Sequence, residues 1–212
     1  MIKAEFIECM GNDLTVVNSA RVSYGKTKTK LDIKDEKLLN YLAKHQHFTP
    51  FEHCILSVKI DCPLYIRSQI HRHRTFSYNE ISRRYTDENL RFYVPKIMRE
   101  QHSSSKQCSG DDFSIVDSMR LKDEVIASHK KSLEIYDKLI KAGVAREIAR
   151  GVLPQNLMTE FWMTGNLRNW IHFLKLRLDS HAQYEVRVIA EDVKAIIEDK
   201  FPLAAKALFE VL

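Results

Sequence analysis

Two periods alternate along the chain. Ile2, Ala4 and Phe6 are separated by Lys3 and Glu5, the spacing of a strand with one buried face. The cleanest such run is Cys54 to Cys62, with Leu56, Val58, Ile60 and Cys62 on one side and Ser57, Lys59 and Asp61 on the other. Between these runs, Leu38, Leu39 and Leu42 recur at helical spacing within Asp35 to Lys44, and Thr49-Pro50 breaks that helix. Asn18 to Lys30 is polar and rich in Lys and Thr, and reads as a loop. Pro63 ends the second strand and can open a helix from Leu64 to about His73. Beyond it the apolar residues thin out. Residues 72–85 read as irregular backbone, Asn89 to Met98 as a strand stopping near Pro95, and Gln101 to Asp112 as a mobile, Ser-rich loop.

The C-terminal half reads as helical. Ser114 to Ala142 carries the stripe Val125, Ile126, Leu133, Tyr136, Leu139 and Ile140, with Gly143 as its stop. Val144 to Gly151 forms a short helix closed by Leu153-Pro154. Leu167 to Leu178 and Ala182 to Lys200 follow, and Pro202 precedes a short apolar tail. Phe161, Trp162, Trp170 and Phe173 are assigned to the core. Strands early and helices late predict an α+β fold: a single domain over 1–212 with a central, mostly antiparallel sheet flanked by helices and a helical lobe.

Composition narrows the function classes. A hydrophobic content of 44% and a charged content of 29% are those of a soluble globular domain. The net charge of +5 favours anionic ligands without establishing nucleic-acid binding. No apolar run is long enough for a membrane span, and the N-terminus lacks a secretion pattern, so a cytoplasmic location is expected. The four cysteines, Cys9, Cys54, Cys62 and Cys108, form no C-x-x-C pair and read as reduced thiols.

The chemistry concentrates in residues 72–85, Arg-His-Arg-Thr-Phe-Ser-Tyr-Asn-Glu-Ile-Ser-Arg-Arg-Tyr. Arg72, Arg74, Arg83 and Arg84 offer planar cationic forks suited to phosphate. Glu80 among them is expected to stay ionised, able to accept from a sugar hydroxyl or to orient an arginine. Composition alone leaves open whether this is a charged-ligand pocket or a solvated ion-pair network. Ser82 lacks the elbow and base of an activated nucleophile, so a hydroxyl donating to a ligand phosphate is the expected role. His45 with His47 and His71 with His73 have i,i+2 spacing outside any firm strand, and the arginines around His71 and His73 would repel a cation, which argues against a metal site. Arg146 and Arg150 are one helical turn apart, and Asn166 suits a helix N-cap. Arg168 and His172 share a helix face, with Arg177 half a turn away from Arg168.

Arg72-His73-Arg74, Ser77, Asn79-Glu80, Ser82 and Arg84-Tyr85 together reproduce the pattern R-H-R-x-x-S-x-N-E-x-S-x-R-Y, and in this the chain resembles the flavin-dependent thymidylate synthases. Thr49-Pro50-Phe51-Glu52-His53, Arg150-Gly151-Val152-Leu153-Pro154 and the stretch Asn166 to Gln183 resemble further segments of that family. The resemblance implies conversion of dUMP to dTMP, with methylenetetrahydrofolate as carbon donor, NADPH as reductant and FAD as electron carrier. It implies a homotetramer with active sites at subunit interfaces, and no nucleic-acid or membrane partner. It places Gln69, Ile70, His71, Arg72, Glu80, Ile81, Ser82, Arg83, Arg84, Arg150 and Arg177 at dUMP, with Arg177 as the catalytic group. It places Thr49, Arg72, His73, Arg74, Glu80, Asn166, Leu167, Arg168 and His172 at FAD. Position 83 is often small in such relatives and is Arg here. Folate contact through His47 or Tyr85 is a weaker expectation. None of the cysteines sits in a site-like setting, so no enzyme thiol is expected to attack the pyrimidine. The rivals are a nucleic-acid-binding protein, against which the small net charge and the lack of interleaved aromatics argue, and a ligand-binding relative without turnover.

Overall fold

The structure, a computed structural model, describes residues 1–106 and 108–211. In chain order it runs β1 (Lys3–Met10), α1 (Asp13–Arg21), α2 (Ile33–Lys44), β2 (Ile55–Pro63), α3 (Leu64–Ile70), β3 (Ser77–Glu80), β4 (Arg99–Gln101) and β5 (Ser109–Asp112). There follow α4 (Ile115–Lys141), α5 (Arg146–Ala149), β6 (Met158–Asn166), α6 (Leu167–Arg177), α7 (Tyr184–Lys200) and α8 (Pro202–Phe209). The main sheet has the order β1-β2-β6-β3, antiparallel throughout, and β4 and β5 form a separate hairpin. The architecture is α+β, as expected.

The two central strands, β2 and β6, explain the sheet. Their register sets Leu56 opposite Gly165, Val58 opposite Met163 and Ile60 opposite Phe161, and all six residues are buried. Burying each large side chain contributes about 1.5–3 kcal/mol. Helices α6, α7 and α8 cover that face with Trp170, Phe173, Ile189, Val193 and Leu208, and the Trp170 indole donates to the Leu56 carbonyl at 3.0 Å. Gly165 serves the site directly, because a Cβ there would collide with the Phe76 ring. Its absence lets Phe76 lie on the sheet and meet Trp170 edge-on at 4.7 Å. The helical lobe has its own small core of Tyr136, Ala149, Leu153 and Leu157.

Several expectations are corrected. Residues 72–85 are not all irregular, since Ser77–Glu80 form edge strand β3 on β6. Asn89 to Met98 makes only an isolated bridge, Phe92 to Leu157. The segment from Gln101 to Asp112 is not a free loop; it closes the β4–β5 hairpin, with Gln107 outside the described residues. Helix α1 claims the start of the polar stretch after Asn18, held by a capping box in which Asn12 and Thr15 satisfy each other's backbone amides. Strand β6 was unforeseen, so strands are not confined to the early chain. It also turns Trp162 outward, 49% exposed, because period two puts it opposite Phe161 and Met163. No helix among the described residues is long and apolar enough to cross a membrane.

Candidate active site

Helix α3 ends at Ile70 and the chain turns sharply before β3. The Tyr78 hydroxyl closes that turn, 2.7 Å from the His73 carbonyl and 3.1 Å from that of Ile70. Burial pushes the Tyr78 phenol up to about 12, so it acts as a donor. The turn buries His73, leaving it 8% exposed, with its ring edge-on to Phe173 at 4.9 Å and 6.5 Å from His172. Arg72 and Arg74, flanking it, stay exposed.

His73 meets Arg177, the last residue of α6. Arg177 Nε donates to His73 Nε2 at 2.9 Å, and its Nη2 donates to the Gln69 carbonyl at 3.2 Å. Burial first, then the charges of Arg177 and His172, lower the His73 pKa to about 4. The ring is therefore neutral near pH 7, with its lone pair on Nε2 and its proton on Nδ1. The Arg177 guanidinium is half-buried and held by two neutral acceptors rather than by a carboxylate. No carboxylate among the described residues compensates its charge at the site, and burial lowers its pKa.

The rest of the motif runs toward the helical lobe. Glu80 Oε1 accepts from Thr159 Oγ1 at 2.6 Å and lies 3.4 Å from Arg67 Nε. Its cationic neighbour is thus Arg67 on α3, not one of the four motif arginines. Ser82 Oγ accepts from the Arg84 amide at 3.3 Å, a turn contact, with no histidine bonded to it. Arg83 curls back to the Glu88 carbonyl at 2.7 Å, and burial lowers its pKa. Arg84 lies over the Tyr85 ring and donates to its hydroxyl at 2.7 Å. An open cleft of about 280 Å³ separates Arg84 and Tyr85 from Ala145 and Arg146. Arg146 pairs with Asp87 at 2.9 Å, while the side chain of exposed Arg150 makes, among the described residues, only a long bond to the Glu147 carbonyl. The side chain of Ile70 is fully buried and its carbonyl accepts from the Tyr78 hydroxyl and the His73 amide, while the side chain of His71 packs on Tyr78 and Phe161. Ile81 is exposed.

A second group assembles at the start of α6. Asn166 caps it, accepting from the Asn169 amide at 2.9 Å, and fully buried Leu167 donates its own amide to the Cys54 carbonyl at 2.8 Å. That bond ties the helix start to the short 3-10 segment Thr49–His53. Arg168 pairs with Glu52 of that segment at 2.5 Å and lies over Phe48. Thr49 and His172 are exposed.

The chain thus joins Gln69, His73 and Arg177 by contact, and joins Thr49, Asn166 and Arg168 through the 3-10 segment. It makes no described contact between Arg150 and Arg177. Sequence reasoning missed Tyr78, Gln183 and Glu185. Tyr78 occupies one of the five non-fixed positions of the motif and nothing in its spacing sets it apart, and Gln183 and Glu185 carry no local signal.

Comparison with known proteins agrees with the motif. Residues 5–203 match the family described as thymidylate synthase complementing protein. A flavin-dependent thymidylate synthase of Wolbachia pipientis wMel is 43% identical over 206 residues, 96% of this chain and 72% of that protein. One from Kosmotoga olearia is 41% identical over 204 residues, 95% of this chain and 87% of that protein. The crystal structure of a UMP/dUMP methylase, PolB from Streptomyces cacaoi bound with 5-Br dUMP, is similar with a TM-score of 0.89 at 30% identity, covering 99% of this chain and 95% of that one.

Proposed function

The chain belongs to the flavin-dependent thymidylate synthase family, and from that premise we propose that it converts dUMP to dTMP. In this reading methylenetetrahydrofolate supplies the carbon, NADPH the reducing equivalents and FAD the electron carrier, within one domain spanning residues 1–212. The observation that carries it is the Arg177–His73–Gln69 junction, an uncompensated guanidinium built into the motif by two neutral acceptors.

That junction suits charge development on a pyrimidine. Arg177 Nε and one Nη2 hydrogen are committed to protein, and the Nη1 edge is left for a ligand. Directed at the uracil edge, it would favour negative charge on N3–O4 and so raise electron density at C5. Held by neutral partners in a half-buried setting, the guanidinium keeps its full charge for this role. C5 can then take the carbon without a thiol adding at C6. The thiols support that reading: Cys54 and Cys62 are fully buried, Cys54 is pushed up to about 12, first by burial and then by Asp13, and burial pushes Cys62 higher.

The residues fit a flavin dinucleotide. Arg72 and Arg74 are exposed and make no ion pair with any described residue, the donor set a pyrophosphate needs. Thr49, Arg168 and His172 add exposed donors beside the α6 N-terminus. FAD, when bound, supplies the redox chemistry, and the protein's part is to bind, orient and exclude water. Arg150 lies apart from Arg177 within one protomer, which supports a homotetramer that completes each site from neighbouring subunits. The test is spectroscopic. Purified protein loaded with FAD should show flavin absorbance that shifts on adding dUMP, whereas protein that holds no flavin would remove the proposal.

A further inference from the structure

One wall of the site is held by residues outside the motif. Glu185 lies in the first turn of α7 and is 1% exposed. The helix N-terminus favours a carboxylate there. Three donors converge on it: Arg99 Nη2 at 2.6 Å and the Tyr93 hydroxyl at 3.2 Å on Oε1, and Gln183 Nε2 at 3.0 Å on Oε2. Burial, with Glu185 adding to it, pushes the Tyr93 phenol up, so Tyr93 remains a donor. The carbonyl of Gln183 in turn accepts from Gln69 Nε2 at 2.5 Å.

These contacts have a forced direction. A carboxylate surrounded by donors accepts on both oxygens, so Gln183 must turn its NH2 toward Glu185. Its carbonyl then faces Gln69, and Gln69 must answer with its own NH2. The Gln69 main-chain carbonyl is held separately by Arg177. Among the described residues Gln69 therefore keeps one side-chain N–H and its side-chain carbonyl uncommitted, in an orientation set two hydrogen bonds away by a buried charge. Arg99 also donates to Ser109 at 3.0 Å, so the same carboxylate anchors the β4–β5 hairpin.

We propose that Glu185 and Gln183 are positioning residues that fix the side-chain direction of Gln69 for the nucleotide; this rests on the reading that Gln69 contacts dUMP. The entropy of freezing a glutamine is then met on folding rather than on binding.

The test is a double-mutant cycle read by calorimetric titration of dUMP into FAD-loaded protein. Gln183→Met keeps the Glu185–Arg99 pair and removes only the amide link, and Gln183 makes no side-chain cap bond to α7. Gln183→Met and Gln69→Leu should each weaken dUMP about tenfold, and the double variant no more than the worse single, with FAD retained. Glu185→Gln should show the same lack of additivity with Gln69→Leu. Losses that multiply to about a hundredfold, as independent structural damage would give, overturn the proposal, as does wild-type affinity in Gln183→Met. Wild-type protein that holds FAD but binds no dUMP would instead overturn the functional reading beneath it.

Discussion

His73 offers a sharp test of the site's electrostatics. Its ring is neutral in the folded protein because burial and the Arg177 charge drive its pKa from the ordinary 6.5 to about 4. In the unfolded chain it titrates at its ordinary value. Between these limits the unfolded state binds more protons than the folded one, so stability is present above pH 6.5 and is lost as pH falls toward 4. The shift corresponds to about 3 kcal/mol. His73→Gln isolates this contribution, since its side-chain carbonyl can accept from Arg177 Nε while nothing there titrates. Urea denaturation of both proteins, stepped from pH 7.5 to about 4 at one protein concentration, gives the difference curve. The wild type should lose about 3 kcal/mol relative to the variant across that window. A flat difference curve would mean that His73 is not held neutral by Arg177, and the account of the junction would fail.

Other consequences can be checked separately. Arg177→Ala should abolish dTMP formation while FAD content, read from flavin absorbance, is largely kept; normal turnover would take Arg177 out of the mechanism. Cys54→Ala and Cys62→Ala should retain methylation, since both thiols are buried with raised pKa values, and complete loss in a folded variant would reopen thiol attack. Asp35 is fully buried and accepts from Arg21 at 2.7 Å and Lys28 at 2.5 Å, so Asp35→Asn should lower the midpoint in a denaturation assay. An unchanged midpoint would show that this ion cluster contributes nothing to stability.

The parts of the fold that were legible in the sequence are those where period and burial coincide. Leu56, Val58 and Ile60 alternate cleanly, and in β2 all three turn into the core as that pattern requires. Strand β6 carried the same alternation in Phe161 and Met163, but Thr159 and Gly165 occupy two of its inward positions and blur it. Edge strand β3 offers only Tyr78 to the core among Ser77, Asn79 and Glu80, so no hydrophobic rhythm could mark it. The hairpin depends on Arg99 reaching Glu185, a contact 86 residues away in sequence.

The site divides in the same way. Arg72 to Tyr85 announced itself through residue types at fixed spacing. His73 as the acceptor for Arg177 did not, because the partners are 104 residues apart. Helical periodicity correctly separated Arg177 from Arg168 on α6. It could not show that the inner face meets the motif while the outer one meets Glu52. Gln183 and Glu185 look like an ordinary N-cap and first-turn residue of a helix, and only the burial of Glu185 and the donors converging on it mark them.

The most direct test of the central claim is dTMP formation by the purified protein with FAD, NADPH, dUMP and methylenetetrahydrofolate, each left out in turn. The account predicts product only when all four are present. Folded protein that holds FAD and dUMP yet forms no product, or that forms product without flavin, would contradict it.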